Sequence, residues 1–184
     1  MRKEHIIQDF IKKLPENAKV LDIGCGSGKT IRMISKLRGD ISLYAVDIED
    51  QSKKFSNLAT FKKGDVSQLK DLFEHNYFDA VICQHVIEHL LSPTELVQGI
   101  KTVIKKNGNL FLETPNWTRL FIPFHKNFFW NDPTHIRPHT KNSFNQLFEE
   151  NGFDTVRIKT ISSARMIVKN DSIKHIGSKI KKAK

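Results

Sequence analysis

Three acids stand where a parallel sheet would present them to a ligand. Asp22 breaks an apolar run, Val20-Leu21-Asp22-Ile23, that leads into Gly24-Cys25-Gly26-Ser27-Gly28. Asp47 closes a second run, Ser42–Ile48, and Asp65 follows a third, shorter one at Gly64. Glycine has no Cβ, so the chain can turn sharply there and a ligand can press against the backbone. In open parallel sheets, ligands bind outside the carboxyl ends of the strands. At such ends Asp47 can take both hydroxyls of a ribose, and Asp65 can accept from an exocyclic amine. Asp65 could equally cap its own turn. Taken together, the three acids outline a pocket for adenosine carrying a charged amino acid. The turn reads G-x-G-x-G, one residue short of the G-x-G-x-x-G that seats a dinucleotide pyrophosphate. That spacing argues against a nicotinamide oxidoreductase.

A second cluster lies in His85-Val86-Ile87-Glu88-His89-Leu90. His85, Glu88 and His89 are spaced i, i+3, i+4, so one helical turn would place them on a shared face. His135, from the segment Asp132-Pro133-Thr134-His135-Ile136-Arg137, could join them. Imidazoles change charge near neutral pH and can carry protons.

The elements that must position these groups alternate. Ile6, Ile7, Phe10, Ile11 and Leu14 mark a helix that stops at Pro15. Strands are expected at Val20–Ile23, Ser42–Ile48, Ala59–Lys62, Phe78–Cys83 and Asn109–Thr114. Final strands are expected at Thr155–Ile161 and Met166–Val168, as a hairpin. Helices are expected at Lys29–Leu37, from Ser92 (a cap, with Pro93 in the first turn) through Ile104 to a stop at Gly108, and at Thr140–Asn151. Leu69–Phe73 is helical only briefly. Strands alternating with helices predict an α/β fold, a Rossmann-like, doubly wound and mostly parallel sheet in a single domain over residues 1–169. The long connection Pro115–His139 holds Trp117, Phe121, Phe124, Phe128, Phe129 and Trp130, and it reads as a lid over an acceptor pocket or as cover for the core.

Composition bounds the rest. The 184 residues carry a net charge of +10, and the lysines between 169 and 184 make residues 170–184 a basic, flexible tail. Ile173, Ile176 and Ile180 give that tail a weak amphipathic spacing that would allow contact with a membrane surface. Two cysteines imply buried thiols and no disulfide framework. No apolar run reaches transmembrane length and no signal-peptide core is present, so a soluble, cytoplasmic protein is expected.

The segments VLDIGCGSG (20–28), YAVDI (44–48), GD (64–65), FDAVICQHVIEHL (78–90) and NLFLETPN (109–116) together resemble the class I S-adenosylmethionine-dependent methyltransferases. The resemblance implies S-adenosylmethionine as cofactor. Gly24, Gly26 and Gly28 would give way to its methionyl part, with Cys25 beside them. Asp22 would orient its amino group, and Asp47 with Ile48 would hold the ribose end. Asp65 with Val66 would hold the adenine, and Cys83 and Gln84 would face the methyl-donor end. Methyl transfer asks chiefly for alignment in a dry site, with a general base where the nucleophile is a hydroxyl. His135 is the first choice for that base, then His89 and His85. TPN followed by DPTHIRPHT resembles bacterial methyltransferases of small molecules and of sugar- or lipid-linked intermediates. A small-molecule acceptor methylated on oxygen, less readily on nitrogen, is therefore expected. The His/Glu segment also resembles a Glu-x-x-Glu-His pattern that holds a divalent metal in small-RNA 2′-O-methyltransferases and ubiquinone-pathway O-methyltransferases. Here His85 stands in the first glutamate's place, and no metal ligand is assigned. The alternatives are an RNA 2′-O-methyltransferase with that metal site and a non-catalytic nucleotide-binding module.

Overall fold

A computed structural model describes residues 3–55, 57–118, 128–153, 157–162 and 165–170. Seven strands form one sheet in the order β3-β2-β1-β4-β5-β7-β6. They are β1 (Lys19–Ile23), β2 (Ser42–Asp47), β3 (Thr60–Lys63), β4 (Phe78–Gln84), β5 (Ile104–Pro115), β6 (Arg157–Ser162) and β7 (Arg165–Asn170). The first five run parallel, and β7 pairs antiparallel with both β5 and β6. The helices are α1 (Lys3–Lys12), α2 (Lys29–Leu37), α3 (Ser52–Phe55), α4 (Leu69–Leu72), α5 (Pro93–Val103) and α6 (Lys141–Glu150). The strand order reverses between β1 and β4, and in such sheets the crevice at that reversal is where ligands settle. The expected doubly wound architecture with a terminal hairpin is what the chain forms.

The sheet is covered on both faces. One core holds Leu21, Ile23, Val81 and Cys83 against Leu96, Val97, Ile100 and Phe144. The other holds Val20, Ala80 and Ile82 against Ile7, Ile11, Ile31 and Ile34. Strands buried on both sides read as continuous apolar runs, so an acid within one is conspicuous. Both cysteines are buried thiols.

The junction of α5 and β5 differs most from expectation. The helix from Pro93 ends at Val103, not Gly108, because Ile104 is already extended and pairs with Phe78. The register then slips between Phe78 and Ala80, which faces Asn109, so a bulge absorbs the residues up to Gly108. Ser92 makes no side-chain capping bond, and Pro93 alone marks the start. By contrast, Thr140 caps α6 in a reciprocal box with Ser143.

The glycine turn is set by packing as much as by any ligand. Gly24, Gly26 and Gly28 all have positive φ, at 68°, 47° and 77°. A Cβ on Gly24 would meet Val86 Cγ2 at 2.3 Å, and one on Gly28 would meet Phe55 Cε1 at 2.2 Å. A Cβ on Gly26 would meet nothing within 4 Å. Of the three, Gly24 and Gly28 are thus required by the protein's own side chains, and a Cβ on Gly26 would face open space. Gly28→Ala combines left-handed strain with a clash against a buried ring, a cost of about 2 kcal/mol or more. Thermal unfolding should show Tm falling by about 4–8 °C. Gly39→Ala, at a site with nothing within 4 Å, should leave Tm nearly unchanged.

Candidate active site

Asp22 comes from β1, and its side chain is almost wholly buried, with Oδ2 lacking any hydrogen-bond partner among the described residues. Burial, and then the neighbouring Asp47, push its pKa up to about 8. Asp47 ends β2. Its Oδ2 accepts the Gly26 N–H at 2.8 Å and its Oδ1 accepts the Glu49 N–H at 3.0 Å. The acid of β2 therefore holds the open glycine of the turn. Cys25 is buried, and its thiol is pushed up to about 12 by burial and by Asp22 and Asp47, so it stays neutral. Ile48, next after Asp47, is 65% exposed, unusual for an isoleucine beside a crevice. Asp65 spends its Oδ1 on the Ser67 N–H and hydroxyl, capping the short 3₁₀ turn that starts at Val66. Asp65 is exposed and Val66 half-buried.

Gln84 ends β4 beside these groups. Its Oε1 accepts the Thr30 hydroxyl at 3.0 Å, and its Nε2 donates to Glu113 Oε2 at 2.8 Å. Cys83, one residue earlier, is fully buried, and its thiol is held well above the ordinary range by burial, then by Glu88 and Asp22.

The His/Glu segment does not form the single helical turn its spacing predicts. Ile87–His89 is a 3₁₀ turn, and His85 lies before it at φ 56°. The left-handed residue swings His85 away from His89 and toward the sheet. His85 Nδ1 sits 3.2 Å from Glu88 Oε1, and Nε2 sits 3.5 Å from Glu113 Oε1. Partial burial works against charge on this ring, but the two carboxylates outweigh it and raise its pKa to about 9. The charged ring is thus favoured at neutral pH, which weighs against His85 as the base. Glu88 is fully buried, and its Oε2 accepts the Thr114 hydroxyl at 3.1 Å.

His89 instead meets His135, with ring centroids 4.8 Å apart. His89 Nδ1 lies 3.1 Å from the Thr134 carbonyl, and His135 Nδ1 lies 2.6 Å from the Phe129 carbonyl. A carbonyl only accepts, so each Nδ1 donates, and in the neutral ring Nε2 would carry the lone pair. His135 Nε2 is 3.8 Å from Asp132 Oδ2. The segment around His135 hangs from Glu88, whose carbonyl accepts the N–H groups of Ile136 and Arg137 at 2.8 and 3.2 Å. Glu88, His89 and His135 offer ligand atoms within 4.8 Å of one another. Leu91, Trp130 and Ile136 are exposed apolar side chains on these same segments. Phe129 is buried and packs on His135, so it covers core, whereas Trp130 stays accessible. Phe121, Phe124 and the tail from residue 171 lie outside the described residues.

Sequence reasoning missed Glu113 and His139. Glu113 is buried in an otherwise apolar strand, the same signal that marked Asp22. His139 is buried and stacked on Phe144, and burial, then Arg137, lower its pKa to about 4, so it stays neutral.

Comparisons with known proteins agree with the fold. A family model described as a methyltransferase domain matches residues 2–158. A ubiquinone biosynthesis O-methyltransferase of Xanthomonas axonopodis pv. citri is 32% identical over 111 residues, 56% of this chain and 46% of that protein. The chain thus spans about half the length of the curated relatives it matches. A SAM dependent methyltransferase from Archaeoglobus fulgidus superposes with a TM-score of 0.71 at 26% identity, covering 86% of this chain and 71% of that one. The YcgJ protein of Bacillus subtilis gives 0.72 at 14% identity, covering 95% and 98%, a likeness of fold.

The charged state of His85 has a consequence for stability. A folded pKa above the unfolded value stabilises fully below about 6.5 and loses that contribution as pH rises through about 9. The Tm difference between the wild-type chain and His85→Gln should therefore be larger at pH 6 than at pH 10. An equal difference at both ends would show that His85 is not charged in the folded state.

Proposed function

The chain belongs to the methyltransferase-domain family, and we propose that it transfers a methyl group from S-adenosylmethionine to a hydroxyl oxygen of a small acceptor. The sulfonium donor supplies an activated methyl group on a good leaving group. The chain's residues bind, orient and move a proton. Asp22, buried with an unpartnered oxygen, suits the donor's amino group. Gly26, whose missing Cβ leaves open space, suits its methionyl backbone. Asp47 would take the ribose hydroxyls on its remaining lone pairs. Ile48 and Val66 would flank the adenine, with Asp65 at its amine, and Gln84 would line the methyl-donor end.

The observation that carries the oxygen reading is the His89–His135 pair. Both rings have Nδ1 pinned by a carbonyl, leaving Nε2 as a base. As the acceptor oxygen bonds to the methyl carbon and the carbon–sulfur bond breaks, Nε2 of His135 takes the hydroxyl proton, with Asp132 steadying the imidazolium and His89 as second choice. The exposed Leu91, Trp130 and Ile136 suit an acceptor with an apolar portion, such as a lipid-linked metabolite. The printed names of the curated relatives also favour methylation on oxygen. No helix among the described residues is long and apolar enough to cross a membrane.

A second reading rests on the same three residues. Glu88, His89 and His135 could hold a divalent cation, and two imidazoles with a carboxylate suit a transition metal. With a net charge of +10, the acceptor would then be the 2′-hydroxyl of an RNA.

A methyl-release assay over hydroxylated acceptors, with and without EDTA, separates the two. On the first reading His135→Ala lowers kcat by about 10²–10⁴-fold, donor affinity holds, and EDTA changes nothing. Loss of activity in EDTA, with RNA binding that falls steeply with salt, would favour the second. Asp22 makes a separate prediction. At pH 7 it is mostly protonated, its pKa being about 8, and an ammonium group beside it would lower that value. Calorimetry in buffers of different ionisation enthalpy should show proton release on donor binding, absent in Asp22→Asn.

A further inference from the structure

We infer that Glu113 is a positioning residue for methyl transfer, holding the donor side and the acceptor side of the site on one carboxylate. It lies near the end of β5, directly opposite Gln84 in the parallel register, and is 2% exposed. Three contacts bind it to the last turn of β4. Gln84 Nε2 donates to its Oε2 at 2.8 Å, the His85 N–H donates to its backbone carbonyl at 2.9 Å, and His85 Nε2 lies 3.5 Å from its Oε1.

The chemistry of the carboxylate gives these contacts direction. A carboxylate has no proton to donate, so the Gln84 group facing it must be the NH₂. Gln84 Oε1 is thereby turned to the Thr30 hydroxyl, 3.0 Å away in the first turn of α2. Thr30 stands two residues after Gly28, so this bond ties β4 to the helix that follows the glycine turn. In the other direction, His85 Nδ1 contacts Glu88 Oε1, and the Glu88 carbonyl holds Ile136 and Arg137 beside His135. His85 sits at φ 56°, a backbone state that persists only where its surroundings over-determine it. Glu113 supplies two of those constraints. A continuous polar path thus runs from Thr30 through Gln84, Glu113, His85 and Glu88 to the segment carrying the base.

A glutamine at position 113 could present either end of its amide. Gln84 would then be free to turn over, reversing the bond to Thr30 and losing its single fixed orientation. Misplacement of a reacting group by about 1 Å can cost 10²-fold in rate, so the side chain that fixes orientation matters without touching the donor.

The inference rests on Gln84 belonging to the donor site, and the test separates the two. Binding of S-adenosylmethionine is measured by calorimetry for the wild-type chain, Gln84→Ala, Glu113→Gln, Glu113→Asp, Thr30→Val and the Glu113→Gln/Gln84→Ala double variant. We expect Gln84→Ala and Glu113→Gln each to weaken binding by about 5–10-fold, and the double variant to bind no more weakly than Gln84→Ala alone. Glu113→Asp, which keeps an acceptor-only group, should recover part of the loss. If Glu113→Gln does not fold, Thr30→Val in the presence and absence of Gln84→Ala tests the same path, again with non-additive losses expected. Full additivity, or wild-type affinity in Glu113→Gln, overturns the inference while leaving the donor site intact. Wild-type affinity in Gln84→Ala overturns the placement of Gln84 in the donor site, and the inference with it.

Discussion

A carboxylate taken out of water must be answered, and the carboxyl edge of this sheet buries three: Asp22, Glu88 and Glu113. Two are answered from within. Glu113 receives the Gln84 amide, Glu88 receives the Thr114 hydroxyl, and the imidazolium of His85 stands between them. Asp22 is treated differently. Its Oδ2 has no partner among the described residues, and its nearest charged neighbour is another acid. Alone it holds its proton at neutral pH. The unpartnered carboxyl oxygen thus lies at β1 beside the glycine turn, while the β4–β5 edge gathers its two carboxylates around one imidazole.

The β4–β5 edge also anchors the segment that carries His135. Glu88 joins the sheet edge to the 129–139 segment through its carbonyl, while its side chain is tied to β5 through Thr114. His135 arrives on that segment and packs between Phe129 and His89. Neither histidine reaches its position by local helical geometry. Each is placed by backbone carbonyls from a part of the chain about forty residues away in one case, and six in the other. Contact with carbonyls sets Nδ1 as the donor in both rings.

Much of this was legible in the sequence. An acid inside an apolar run followed by spaced glycines is a strong local signal, and it located Asp22, the turn and the switch point of the sheet. Alternating elements then fixed the parallel order. What was not legible depends on neighbours distant in sequence. Gly24 and Gly28 look equivalent to Gly26 until Val86 and Phe55 fill the space above them. Nothing in the sequence near His85 shows that Glu113, from β5, contacts its ring. The i, i+3, i+4 spacing predicted a helical face, but a left-handed residue at His85 reoriented its first member. Ile104 continued a helical pattern and was captured instead by pairing with Phe78. Glu113 carried the same signal as Asp22, an acid in the apolar strand Leu110-Phe111-Leu112-Glu113, but no glycine turn followed to draw attention to it.

The same lone pairs on His89 and His135 could accept a proton or a metal ion, so the choice between them falls on the third member of the cluster. Glu88 already bonds through both oxygens, Oε1 to the charged His85 ring and Oε2 to Thr114. A divalent cation settling there would stand near the His85 ring that Glu88 Oε1 already contacts, and a charged ring would repel it. A neutral hydroxyl meets no such opposition. Its proton can pass to Nε2 of His135 with Asp132 nearby to balance the new charge. One imidazole ring held on Glu88 thus favours the proposed proton transfer over cation binding, in keeping with the proposed hydroxyl acceptor.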